Sequence, residues 1–154
     1  MTTTTEQIFT CNVNYQFDIS LQDLKDLFCT MGQGCNYWAC EVTIGNIEEE
    51  EDEDGNVWYK NNQEYECEGC VAWLKDLSLD SPIKIEDCKG DKHKFKVQDV
   101  LSTIEKIISV KTDLNTHDCG EIFQAFTNDD LGRIDASIAD SILQIMTFGK
   151  LVYG

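Results

Sequence analysis

Along residues 11–19 the apolar side chains fall on every odd position (Cys11, Val13, Tyr15, Phe17, Ile19). That is the period of two that turns one face of a strand toward a core, so a strand is expected there. At Ser20 the period changes. Ser20 with Asp23 three residues on has the form of a capping box, and Leu21, Leu24, Leu27, Phe28 and Met31 trace one stripe of a helix that Gly32 and Gly34 are expected to end. Residues 37–44 are rich in aromatic and β-branched side chains (Tyr37, Trp38, Val42, Thr43, Ile44) and read as a second strand. A short strand is expected at 57–59. Over 70–77, Val71, Trp73, Leu74 and Leu77 have the spacing of a short amphipathic helix.

The second half carries sharper signals. Ile83 and Ile85 alternate with Lys84 and Glu86, Lys89, Gly90, Asp91 and Lys92 supply a turn, and Phe95 and Val97 alternate with Lys94 and Lys96, the pattern of a β-hairpin. Val100, Leu101, Ile104, Ile107 and Ile108 then mark one face of a helix over about 98–110. A helical turn is expected around Ile122, Phe123 and Phe126. Asp135 caps a last helix with the stripe Ile138, Ala139, Ile142, Ile145 and Met146, stopped by Gly149. The tail Leu151, Val152, Tyr153 is too apolar to hang in water, so it is expected to pair as an edge strand or dock on the core. The sum is α+β: one domain over residues 1–154, a small antiparallel sheet packed with three or four helices.

Charge changes what this fold is suited to do. The 154 residues carry a formal −17, of which residues 1–80 hold −14 and residues 81–154 only −3. Direct binding to nucleic acid or to an anionic membrane would work against that field. No window reaches the roughly 20 apolar residues of a membrane span, and no basic, then apolar, leader opens the chain, so a cytoplasmic setting is expected. The charge is densest in the unbroken run Glu48, Glu49, Glu50, Glu51, Asp52, Glu53, Asp54. Seven adjacent like charges favour an exposed, solvated loop, expected over about 46–56. Such a loop serves either as a solubilising surface or as an anionic face for a cationic protein.

In a reducing compartment the eight cysteines are thiols or metal ligands sooner than disulfides. Cys67 and Cys70 form a C-x2-C pair, with Cys88 and His93 following, a donor set able to close a tetrahedral zinc site; otherwise no cofactor is expected. For covalent catalysis the chain offers His117 two residues from Cys119, and no glycine-rich phosphate loop, nucleophile elbow or H-E-x-x-H motif. A non-enzymatic role is therefore expected.

Asn36, Tyr37 and Trp38 sit beside two glycines, an amide next to two amphipathic aromatics that suits either a packing corner or a stacked ligand. Asp140 and Gln144 lie one helical turn apart at the border of the last helix's apolar stripe, and Asn36, Asp140 and Gln144 are expected to form one hydrogen-bonded cluster. The segments 30–38 and 135–154 carry Gly34, Asn36, Tyr37, Trp38 and then Ala139, Asp140, Gln144, Phe148, Gly149, Val152, Tyr153 and Gly154. In these positions the chain resembles a family of small bacteriophage and prophage proteins with a G-G-S-N-Y-W-like segment and an F-G-x-x-V-Y-G-like C-terminus. It departs from them at Gly32 and Gln33 and in its acidic, cysteine-bearing middle. The resemblance implies a phage origin and a bacterial host cytosol, and no activity. Three readings follow: an acidic counter-defence inhibitor, of the anti-CRISPR or DNA-mimicking kind, acting on a basic host protein; a receptor or sponge for a small nucleotide, with the hairpin lysines on phosphate; or a phage accessory protein without a defence role.

Overall fold

A computed structural model of the protein describes residues 16–59 and 64–154. The expected strand at 11–19 lies largely outside these; residues 16–20 are irregular, with Phe17 and Ile19 packed against the core. Helix α1 (Leu21–Gly34) starts at the Ser20 cap, whose hydroxyl accepts the Asp23 amide while the Asp23 carboxylate accepts the Ser20 amide. It is followed by β1 (Ala39–Ile44), a hairpin of β2 (Glu49–Glu51) and β3 (Val57–Tyr59), then β4 (Tyr65–Glu68) and β5 (Val71–Leu74). The chain continues through β6 (Pro82–Asp87), β7 (Lys92–Lys96), α2 (Val97–Ile108), α3 (Thr116–Thr127), a single 3-10 turn at Leu131–Arg133, and α4 (Ala136–Phe148).

Strands β4-β5-β1-β6-β7 form one open sheet in that order, antiparallel except for the parallel pair β1 and β5. The long connection over 45–70, which carries the β2–β3 hairpin and β4, supplies the crossover that a parallel pair requires. Alternation along β6 turns Ile83, Ile85 and Asp87 inward and Lys84 outward; on β7 Lys92, Lys94 and Lys96 face solvent. Charged lysines on an edge strand deter pairing with another chain. The core unites α1, α2, α3, α4 and the inner sheet face around Phe28, Trp38, Ile44, Ile83, Ile104 and Ile142. Each such fully buried side chain contributes about 1.5–3 kcal/mol.

Three expectations need correction. Residues 71–74 are strand, not helix: β5 is held between β4 and β1, and tertiary pairing overrides a short apolar run that fits either period. The turn around Phe123 is a full helix, α3, capped by Asn115. Of the two forms expected for the tail, the structure gives docking on the core, as irregular chain. Gly32 does not end α1, which runs through it and stops at Gly34. A Cβ on Gly32 would stand 2.1 Å from Glu68 O, and one on Gly34 2.1 Å from Ala136 O. These positions let β4 and α4 approach the helix backbone more closely than any side chain permits.

Candidate functional site

Helix α1 ends at Cys35, whose amide bonds Met31 O; the amides of Trp38 and Ala39 both turn back to Cys35 O. This tight corner swings Tyr37 and Trp38 against α4. Trp38 is 0% exposed and donates its indole N–H to Asp140 Oδ1 at 2.5 Å. Tyr37 leaves its ring half in solvent, yet its hydroxyl turns inward and donates to Asp140 Oδ2 at 2.7 Å. Gln144, 1% exposed, directs Nε2 toward Asp140 Oδ2 (2.8 Å), Tyr37 OH (3.0 Å) and Tyr153 O (3.0 Å). Its Oε1 accepts the amides of Val152 and Tyr153 at 2.9 and 2.8 Å. Tyr153 lies parallel to Trp38 with ring centroids 5.8 Å apart, Phe148 tilts against both, and Lys89 Nζ stands 5.8 Å from the Tyr153 ring centre.

The buried carboxylate of Asp140 is thus held by three neutral donors, and Gln144 ties the tail to α4 with both ends of its amide. Burial of the Tyr37 hydroxyl, together with the bond it donates to Asp140, pushes the phenol up to about 12. Asn36, expected in this cluster, is exposed and stands outside it. Tyr153, unexpected as a partner, completes it. The stacking surface of Trp38 is already occupied by Tyr153 and Phe148, so the corner is a structural lock with its polar groups satisfied internally.

The acidic run takes a more ordered form than a loop. Glu49, Glu50 and Glu51 pair antiparallel with Tyr59, Trp58 and Val57. Asp52 pins the turn: its carboxylate accepts the amides of Asp54 (2.9 Å) and Asn56 (2.8 Å) and the Asn56 side chain (2.9 Å). Those bonds, the Asn56 side chain foremost, hold Asp52 below the usual carboxylate range. Glu48, Glu49, Glu50, Glu51, Glu53 and Asp54 are exposed. Strand geometry sends Glu49 and Glu51 to one side and Glu50 to the other. Cross-strand bonding and the Asp52 turn together offset the repulsion that would otherwise keep the run extended.

Glu49 also borders a cleft of about 330 Å³ on the outer sheet face, lined by Thr43, Lys84, Lys92, Lys94 and His93 among others. Lys92 pairs with Glu86 at 3.4 Å and Lys96 with Asp80 at 2.9 Å. Lys84 and Lys94 face each other in register across β6 and β7, with no ion pair for either among the described residues.

The proposed zinc ligands are not brought together. Cys67 on β4 and His93 on β7 lie on opposite edges of the five-stranded sheet. Four inter-strand spacings separate them by about 19 Å, whereas one tetrahedral site has bonds of about 2.0–2.3 Å. Cys88 is exposed at the β6–β7 turn, and Cys70 sits beside Cys35 instead. His93 places Nε2 3.3 Å from Asp87 Oδ2. Burial would push Asp87 up, but His93 and the amides of Asp91 and Lys89 outweigh it and hold this turn carboxylate below its usual value. No group of three or more metal-binding side chains is assembled among the described residues, and no helix among them is long and apolar enough to cross a membrane.

No family model matches the chain, and neither the curated proteins nor the solved structures include one similar to it.

Proposed function

We propose that this chain is a non-enzymatic acidic binding protein that engages a basic protein through the β2–β3 hairpin, in the setting that its resemblance to small phage proteins implies: a counter-defence inhibitor acting on a basic host protein. The observation that carries the reading is the presentation of six exposed acids on one ordered hairpin, within a chain whose first eighty residues hold −14. A rigid anionic ridge costs less ordering entropy on binding than a floppy acidic loop and steers a cationic partner toward it. The residues that carry the phage resemblance also have a physical role that accounts for their pairing across the chain: Gly34, Tyr37 and Trp38 meet Asp140, Gln144, Phe148 and Tyr153 in the buried lock. They serve the fold, while the hairpin lies in the region where this chain departs from that family.

The reading is tested by titrating the protein against a panel of basic nucleic-acid-binding proteins at rising salt. Tight complexes at low ionic strength that weaken steeply with salt are expected. Replacing Glu48, Glu49, Glu50, Glu51, Glu53 and Asp54 by their amides, with Asp52 kept to pin the turn, is expected to weaken them at least tenfold. Absence of any complex at low salt, or equal affinity of the amide variant, would sink the idea.

A second reading rests on Lys84 and Lys94. Two opposed lysines repel across the strands, and with Thr43 beside them they suit a small phosphorylated ligand in the outer cleft, away from the Asn36 to Trp38 corner. Nucleotide binding by calorimetry that Lys84→Ala abolishes favours this receptor reading over the acidic one.

A further inference from the structure

Of the cysteines described, two stand in contact: Cys35 Sγ and Cys70 Sγ are 3.4 Å apart. Cys35 caps α1 and is buried; Cys70 follows Gly69 in the turn between β4 and β5 and is half-buried. The backbones that carry them are already pressed together. A Cβ on Gly69 would meet Gly32 O at 2.1 Å, and the Val42 amide bonds Cys70 O at 2.8 Å. The sulfurs therefore need to close by about 1.4 Å to reach the ~2.05 Å of a disulfide.

We propose that Cys35 and Cys70 form a redox site at which a peroxide converts the thiol pair to an intramolecular disulfide, stapling the base of the segment 36–69 that carries the acidic hairpin. The two thiols are unequal. The contact with Cys35 holds Cys70 below the ordinary thiol value, and the same contact, with burial, pushes Cys35 far up. Cys70 is thus the more readily ionised and the more accessible sulfur, the pairing a first attack needs.

The Cys70 thiolate attacks one oxygen of the peroxide and the O–O bond breaks. Cys70 becomes a sulfenic acid, and the departing hydroxide takes up a proton to give water. The Cys35 sulfur then attacks the Cys70 sulfur, the S–O bond breaks, and the second hydroxide leaves as water with the Cys35 thiol proton. Two electrons and two protons pass from the thiol pair to one peroxide, which ends as two waters. The staple closes the long loop 36–69, so it restricts the unfolded chain more than a short-range bridge does.

The C-x2-C spacing points elsewhere, to Cys67 with Cys70, but Cys67 is exposed on β4 and the structure gives Cys70 to Cys35. The test is limited hydrogen peroxide on the folded protein, alkylation of the remaining thiols, and peptide mapping. A peptide joining Cys35 to Cys70, with a mass loss of about 2 Da for the two hydrogens removed, is expected. So is a rise in Tm of several degrees that a dithiol reductant reverses. Cys67→Ser is expected to keep the cross-link, and Cys70→Ser and Cys70→Ala to lose both it and the Tm rise. A Cys67 to Cys70 peptide, or Cys35 and Cys70 both still alkylated after the exposed thiols have been oxidised, would overturn the assignment.

Discussion

Asp140 concentrates the energetics of the lock into one side chain. Its carboxylate satisfies the Trp38 indole, the Tyr37 hydroxyl and the Gln144 amide at once. Asp140→Ala therefore strands the buried Trp38 indole N–H and takes one acceptor from Tyr37 and from Gln144, which keep Tyr153 O, and is expected to cost about 3 kcal/mol in urea unfolding. Tyr37 gives an independent readout of the same cluster. Its folded pKa, about 12, lies above the ordinary phenol value near 10, so the folded state holds the proton more firmly. The stability it contributes is complete below pH ~10 and is lost as pH rises through about 12. Tyr37→Phe is expected to flatten that alkaline loss in melts at pH 9 to 12. Asp140 and Gln144 were legible as a pair because one helical turn separates them. Their third partner, the Tyr153 backbone, was not, since a docked irregular tail leaves no periodic trace.

The elements are set by a few close approaches as much as by hydrophobic stripes. Gly34 sits where α1 and α4 touch backbone to backbone, with Ala136 O within 2.1 Å of any added Cβ. Gly34→Ala is expected to push the helices apart and lower stability by about 2 kcal/mol, read as a fall in denaturation midpoint with little change in slope. Pattern reading took Gly32 and Gly34 as stop signals because glycine after an apolar stripe usually marks a C-cap, as Gly149 does at φ 73° after α4; α1 runs through Gly32 and ends at Gly34, which also admits α4. Whether a glycine ends a helix or lets a neighbour in depends on what packs against it. The same ambiguity misassigned 71–74: four apolar residues between turns satisfy both periods, and only pairing with β1 and β4 decided for strand. The longer signals of α2, α4 and the β6–β7 hairpin survived because many residues agree on one period.

For the whole molecule, −17 on 154 residues means self-repulsion in the compact state. Screening relieves it: the Debye length falls from about 30 Å at 0.01 M to about 8 Å at 0.15 M. Tm is expected to rise by a few degrees over that range of sodium chloride in calorimetric scans. A falling Tm would show instead that attractive pairs such as Lys96 with Asp80 and Arg133 with Glu121 outweigh the repulsion. The anionic surplus is not spread evenly, and Glu49, though exposed, borders the cleft that carries Lys84, Lys92 and Lys94.

By itself the sequence determined the α+β class, the capped helices, the lysine-edged hairpin and the surplus of charge, because each is written in local periodicity or in composition, which need no partner to be read. The tertiary structure alone decided that Cys70 meets Cys35 and not Cys67, that the acidic run becomes a hairpin, and that the last residues close a buried network around Asp140 and Gln144. Those outcomes depend on which strands become neighbours and which backbones come into contact, and such long-range pairings are fixed only when the whole chain packs at once.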